Sequence, residues 1–117
     1  VPWANIGFVH LQKGEPKKAV EALKKALKWD PDFIQALSTL GAALYMLGDY
    51  DESIRVSDEA VSKQPEFAPA WNNLSLAWFE KGDMAKASMY ASRAMEFGFE
   101  VNPDYLAQIE AAMQKKS

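Results

Sequence analysis

Few residues of this 117-residue chain are of a type and spacing that could perform catalysis. The chain has no cysteine, which excludes thiol nucleophiles, zinc–thiolate sites and disulfides. Its single histidine, His10, falls on an apolar helical stripe, which predicts a packed side chain rather than a catalytic base. Asp49, Asp51 and Glu52 lack the turn glycine and distal glutamate of a calcium loop, and acids are expected in the first turn of a helix.

Glycine motifs that bind phosphate are also missing. Neither G-x-G-x-x-G nor G-x-x-x-x-G-K-[ST] occurs in the sequence. An enzyme needs a positioned nucleophile, base or metal, and none of the candidates above is expected to supply one. The sequence therefore predicts a protein that is not an enzyme and that uses no cofactor or metal.

Charge is distributed unevenly around a net value of −3. Residues 1–31 carry six lysines and three acids, whereas residues 32–67 carry two basic and seven acidic residues. The lysines have no interleaved aromatics, and the acidic stretch would repel phosphate, so no nucleic-acid partner is expected. A solvated helix face is favoured, with binding of an acidic protein surface as the alternative. No apolar run approaches the roughly 20 residues of a membrane helix, so no membrane insertion is expected.

A period of 34 residues runs through the sequence. Gly14, Gly48 and Gly82 are each 34 residues apart. Other positions keep the same step: Ala26, Ala60 and Ala94; Gly7 and Gly41; Pro31 and Pro65; Phe33 and Phe67. This many coincidences at one period indicate a repeat protein.

Each repeat has the pattern of two helices. Trp3, Ile6, Gly7 and His10 share one helix face. A glycine able to take positive φ then ends the first helix, and a second apolar stripe follows until Asp-Pro or Gln-Pro stops it. The pattern predicts three helix pairs.

The repeat resembles the tetratricopeptide repeat, whose signature is W-x2-L-G-x2-Y, then A-x3-F, then P. The resemblance implies an all-α fold, a right-handed α-solenoid of three antiparallel helix pairs with a C-terminal capping helix. It implies a single domain over 1–117, with repeats at about 1–33, 34–67 and 68–101 and the capping helix at about 103–115. Because Trp3 is already a packing residue, we expect the chain to be a piece of a longer protein with an open N-terminal face.

Two repeats depart from the signature. The second has Ser53 and Ser57 at the alanine and aromatic positions, so Ser57 either leaves a packing deficit or is covered by a neighbour such as Val56. In the third, proline arrives four residues late, at Pro103. This proline is expected to open the capping helix. Its packing face would hold Tyr105, Ile109, Ala112 and Met113, with Glu110, Lys115 and Lys116 towards water.

In the tetratricopeptide family the first helix of each pair lines a concave groove that holds segments of other proteins. Spacing predicts the partner-binding residues of this groove to be Asn5, Phe8, Gln12, Ser38, Tyr45, Met46, Asn72, Asn73, Leu76 and Phe79. Aromatic and methionine side chains are common binding anchors, so an apolar or amphipathic segment is the expected partner. The alternative is that these residues pack on neighbouring helices.

Some chaperone co-factors of this family hold an acidic C-terminal peptide with a clamp of lysine, arginine and asparagine. The corresponding positions here are Ala4, Phe8, Thr39, Pro69 and Asn73. None is a cation, so no carboxylate-clamp chaperone peptide is expected to bind.

Three function classes remain open. The first is a protein–protein interaction module with a scaffold or adaptor role. The second is a structural or self-assembly segment that associates through the open N-terminal face. The third is a docking or regulatory domain of an enzyme whose catalytic part lies elsewhere. The chain shows no targeting segment, so the sequence predicts no compartment.

Overall fold

The computed structural model describes residues 2–115, which form seven α-helices. They are α1 (Trp3–Gln12), α2 (Pro16–Trp29), α3 (Ile34–Met46), α4 (Tyr50–Lys63), α5 (Ala68–Glu80), α6 (Met84–Glu96) and α7 (Pro103–Lys115). Helices α1/α2, α3/α4 and α5/α6 pack as pairs, each pair packs on the next, and α7 packs on α6. The result is an elongated helical-repeat solenoid of 51 × 25 × 21 Å. Lys116 lies outside the described residues.

The turn inside each pair is built the same way. Gly14, Gly48 and Gly82 have φ of +76°, +82° and +87°, a left-handed conformation that glycine adopts without Cβ strain. Asp49 and Asp83 follow two of these glycines and accept hydrogen bonds from the backbone N–H groups of residues 52 and 86. These caps satisfy free N–H groups in the first turn of α4 and α6, so the second helix starts immediately after the turn.

Small residues allow the two helices of a pair to approach closely. A Cβ at Gly7 would lie 2.6 Å from Leu23 Cγ, and one at Gly41 would lie 2.5 Å from Ser57 Oγ. Either contact is too short for two heavy atoms, so glycine is required. Ser53 fits the same crossing by donating its hydroxyl to the Gly41 carbonyl at 2.7 Å.

Ser57 stands at the aromatic position of the second repeat, and its side chain is in close contact with α3 at Gly41. Ser57 is fully buried, and its Oγ has no hydrogen-bond partner among the described residues. Val56 beside it is 2% exposed and its Cγ2 lies 3.5 Å from the place of a Gly41 Cβ. The neighbour therefore takes part in filling the site, at the expense of an unpaired buried hydroxyl.

The two ends of the solenoid are covered differently from the centre. His10 was expected to be packed, but its side chain is 27% exposed and its Nδ1 lies 3.1 Å from Glu15 Oε1. Its counterpart Leu44 is 4% exposed because α3 has neighbours on both sides. At the other end, Ile109 is 3% exposed but Met113 is 42% exposed. The expectation that Met113 packs was wrong, since this residue in the last turn of α7 is exposed.

Candidate functional site

Three contacts of predicted partner-binding residues join α5 to its neighbours α3 and α7. Asn73 Nδ2 on α5 donates to the Ser38 carbonyl oxygen on α3 at 2.7 Å. The Tyr45 hydroxyl donates to Glu80 Oε1 at 3.3 Å, which joins the ends of the same two helices. The ring centroids of Phe79 and Tyr105 are 5.3 Å apart, which joins α5 to α7. The exposed side of α1, α3, α5 and the start of α7 is called the first-helix surface below.

Most of the ten predicted residues have accessible side chains on the first-helix surface. Met46 is 52% exposed. Asn5 and Gln12 are also exposed, and the half-buried members are Phe8, Tyr45, Asn72, Leu76 and Phe79. Within residues 2–115, the side-chain amides of Asn5, Gln12 and Asn72 make no hydrogen bond. Each can therefore donate to and accept from the backbone of a bound segment.

Ser38 and Asn73 lie beneath this surface. They are 5% and 8% exposed, and Asn73 Nδ2 also lies 3.3 Å from Ser38 Oγ. A Cβ at Gly41 would be 3.3 Å from the same nitrogen, so α3 and the Asn73 side chain are in close contact here. The expectation that Asn73 offers its amide to a partner is at odds with this bond. Its hydrogen bonds hold two repeats together instead.

Tyr45 is positioned from several sides. Its ring lies 5.6 Å from that of Tyr50, and its hydroxyl is held by Glu80. Burial, followed by the charge and hydrogen bond of Glu80, raises the pKa of Tyr45 to about 12. The hydroxyl, which any tyrosine keeps protonated at neutral pH, is here still harder to ionise, and the ring is an uncharged surface with a polar edge.

The α1 side of the surface is assembled by apolar contact. Phe8 packs edge-on against Phe33, with ring centroids 6.3 Å apart and an interplanar angle of 89°. Thr39 occupies the position in α3 that Asn73 has in α5, but its hydroxyl donates to the Gln35 carbonyl of its own helix at 2.7 Å. Within residues 2–115, no side-chain hydrogen bond joins α1 to α3.

The five clamp positions present no positive charge. Ala4 and Asn73 are buried, Phe8 and Thr39 are half-buried, and Pro69 is exposed. A carboxylate placed among them would lose water without gaining a charge-assisted hydrogen bond.

The predicted partner-binding residues leave out three contributors to this region. Glu80 and Tyr105 were not included because their contacts depend on how successive helices lie in space. Trp29, at the end of α2, is 82% exposed and lines a cleft of about 250 Å³ together with Asn5 and Phe33. The repeat could have revealed Trp29, because the equivalent residue of the second repeat is Lys63, which indicates a solvated position. An aromatic residue is unusual at such a position.

Other kinds of site were searched for in the described part of the chain. Among residues 2–115 no group of three or more histidine, aspartate or glutamate side chains could hold a metal ion. None of the helices described is both long and apolar enough to cross a membrane.

Comparison with known proteins gives consistent matches. The family model of the tetratricopeptide repeat matches residues 10–75. The probable UDP-N-acetylglucosamine–peptide N-acetylglucosaminyltransferase SEC of Arabidopsis thaliana is 34% identical over 89 residues, which is 74% of this chain and 9% of that protein. The chain thus spans a small fraction of this relative.

Two solved structures share the fold. The first TPR domain of human RPAP3 has a TM-score of 0.90 at 17% identity, and the match covers 97% of this chain and 91% of that chain. The first TPR of Spaghetti (RPAP3), bound to the HSP90 peptide SRMEEVD, has a TM-score of 0.89 at 17% identity, with 96% and 90% covered. The family model matches more than half of the chain, and the helices and turns follow the same repeat. The chain belongs to the tetratricopeptide repeat family.

Proposed function

We propose that this chain is a protein–protein interaction module that binds an apolar or amphipathic segment of a partner protein on the first-helix surface. The observation that carries the proposal is the combination of half-buried rings and amides without partners on one side of α1, α3 and α5. Phe8, Tyr45 and Phe79 offer apolar area, and Asn5 and Asn72 offer hydrogen bonds that require no particular sequence.

The comparisons support a binding role. A solved neighbour with the same fold was captured with a peptide, as its description states. The peptide in that complex is acidic, whereas the clamp positions of this chain carry no cation. The proposal is therefore a segment held by burial of apolar surface, in a scaffold or adaptor role.

The experiment is a selection from a displayed library of random short peptides, with the pure chain as bait. Selected peptides should carry aliphatic or aromatic side chains, and their affinity should change little between ~0.05 and ~0.5 M salt because apolar burial is barely screened. Tyr45→Ala and Phe79→Ala together should abolish binding, with each truncation costing ~1–4 kcal/mol of binding free energy.

The control is the helical content and melting temperature of the double variant, since Tyr45 and Phe79 also contact Glu80 and Tyr105 within the chain. A folded double variant that keeps its peptide would refute the proposal. So would affinity that collapses as salt is raised.

A second candidate is a docking domain of an enzyme whose catalytic part lies outside this chain. It is favoured by the similarity to a probable transferase, of which the chain spans 9%. Sequencing the full reading frame tests it: an adjoining catalytic domain would support this candidate, and its absence would leave the scaffold role.

A further inference from the structure

A cleft opens between α2 and α4. It has a volume of about 370 Å³. Its floor is apolar: Leu37 and Leu40 of α3 and Val56 of α4, all less than 4% exposed. Its rim carries Lys24, Lys28, Arg55 and Glu59. The cleft lies on the second helices and shares no residue with the first-helix surface.

The next repeat shows what the same place can hold. One period further along, the residues equivalent to Leu37 and Val56 are Trp71 and Tyr90. These two rings stack with centroids 5.7 Å apart and an interplanar angle of 26°. In addition, Trp71 Nε1 donates to the Pro65 carbonyl oxygen at 2.6 Å. The fold therefore accommodates an indole between consecutive second helices, and the smaller Leu37 and Val56 leave that space open.

The cleft retains the proline to which the indole is hydrogen-bonded in the next repeat. Pro31 is the counterpart of Pro65, and it lines the cleft. An indole that entered from outside would meet an apolar floor and a proline carbonyl, as Trp71 does.

The rim determines the charge of a suitable occupant. Arg55 is paired with Glu52 and Glu59, and Glu59 also lies 3.9 Å from Lys63. Within residues 2–115, Lys24 and Lys28 have no ion-pair partner, and both are exposed. The counterparts of these lysines in the next repeat are Asp58 and Ser62. Of these two equivalent places, only the one that lacks its own aromatic residues carries lysines without an ion-pair partner among residues 2–115.

We propose that the α2–α4 cleft is a second docking site, which takes a tryptophan from an acidic segment of a partner protein. The indole occupies the space that Trp71 fills one repeat later, and carboxylates on either side of it pair with Lys24 and Lys28. Charge complementarity speeds encounter and selects the partner, and burial of the indole supplies the larger share of the affinity.

The probe is a capped synthetic peptide with one tryptophan flanked on both sides by aspartate and glutamate, titrated calorimetrically into the full chain at ~0.15 M salt. Binding is expected, with amide chemical-shift changes around Leu37 and Pro31. Two companion peptides, one with alanine for tryptophan and one with asparagine and glutamine for the acids, should each bind at least about tenfold more weakly.

Two kinds of variant locate the site. Lys24→Glu with Lys28→Glu should weaken binding at least about tenfold, whereas Lys13→Glu with Lys17→Glu, the same charge change outside the cleft, should alter it by about twofold or less. Leu37→Trp inserts the residue that the third repeat has at this position and should block the peptide. The lysine variants leave the core unchanged, so the test stands even if Leu37→Trp folds poorly.

Several results would overturn the proposal. One is failure of the acidic tryptophan peptide to bind, and another is equally strong binding of the alanine companion. An equal loss of peptide affinity in both lysine double variants would indicate general charge attraction. Preference for a single-stranded oligonucleotide over the peptide would assign the lysines to nucleic acid. A dimer in sedimentation that Trp29→Ala dissolves would show that the cleft takes Trp29 of a second copy.

Discussion

Two junctions between successive first helices, α1 with α3 and α3 with α5, have the same place in the repeat but are built differently. At the α3–α5 junction, Asn73 donates to the Ser38 carbonyl oxygen, and both residues are buried. At the α1–α3 junction the equivalent residues are Thr39 and Ala4, and the Thr39 hydroxyl bonds to its own helix. The α3–α5 junction, called the closed junction below, is held by a buried hydrogen bond. The α1–α3 junction, called the open junction, relies on apolar contact.

The difference shows how one position can either serve the fold or remain available to a partner. The buried asparagine fixes how α3 and α5 lie against each other, but its amide is then no longer accessible. At the α1–α3 junction the amides of Asn5 and Gln12 remain exposed. The closed junction is expected to hold α3 and α5 in one arrangement, since a buried and satisfied polar pair specifies a single geometry. The open junction is expected to supply hydrogen bonds to a bound segment.

The largest expected effect is at Gly41, where α3 crosses α4 and also lies beside Asn73 of the α3–α5 junction. Gly41→Leu would drive a side chain into Ser57 Oγ and towards Asn73 Nδ2, which lie 2.5 and 3.3 Å from the place of its Cβ. We expect a loss of at least ~2–3 kcal/mol of unfolding free energy. Ala42→Leu, the next residue on the half-buried side of α3, should cost much less. Urea melts measure both, and comparable losses of unfolding free energy would show that α3 is not closely packed at Gly41.

Replacing Asn73 and Thr39, which hold equivalent positions, by alanine is expected to have a smaller effect, but it distinguishes the two junctions more directly. Asn73→Ala removes an inter-repeat hydrogen bond and leaves a void, so we expect a loss of ~1–2 kcal/mol. Thr39→Ala removes a bond within one helix and improves helix propensity, so its unfolding free energy should change by ~0.5 kcal/mol or less. The same denaturation series compares them. A larger loss of unfolding free energy for Thr39→Ala than for Asn73→Ala would contradict the claim that the stabilising polar contact is at the α3–α5 junction.

The third prediction is an absence of effect. The clamp positions at both junctions lack cations, so the peptide SRMEEVD, present in a solved complex of the same fold, should not bind this chain. Titration calorimetry at low salt favours any electrostatic binding and is therefore the stringent condition. A micromolar affinity that weakens with salt would mean that lysines outside the five positions reach the carboxylates.

The repeat made the fold predictable, whereas the site was predictable only in outline. The spacing of Gly14, Gly48 and Gly82 predicted the three turns, and Pro103 predicted the start of α7, because local backbone chemistry decides both. Burial of Asn73 could not be foreseen, since its partner lies 35 residues away. The same is true of the contact between Phe79 and Tyr105. Helix spacing gives the direction of a side chain, and only the neighbouring helix determines whether it stays accessible.

The central claim, that a partner segment lies on the first-helix surface, is tested most directly with two methionines of similar exposure. Met46 on α3 is 52% exposed, and Met89 on α6, a second helix, is 49% exposed. Met46→Lys and Met89→Lys add the same charge at the same depth, so their effects on folding should match. Calorimetric titration with a peptide selected on the unmodified chain should show Met46→Lys weakened at least about tenfold and Met89→Lys unchanged. Equal affinity for the two variants, or a loss confined to Met89→Lys, would contradict the account.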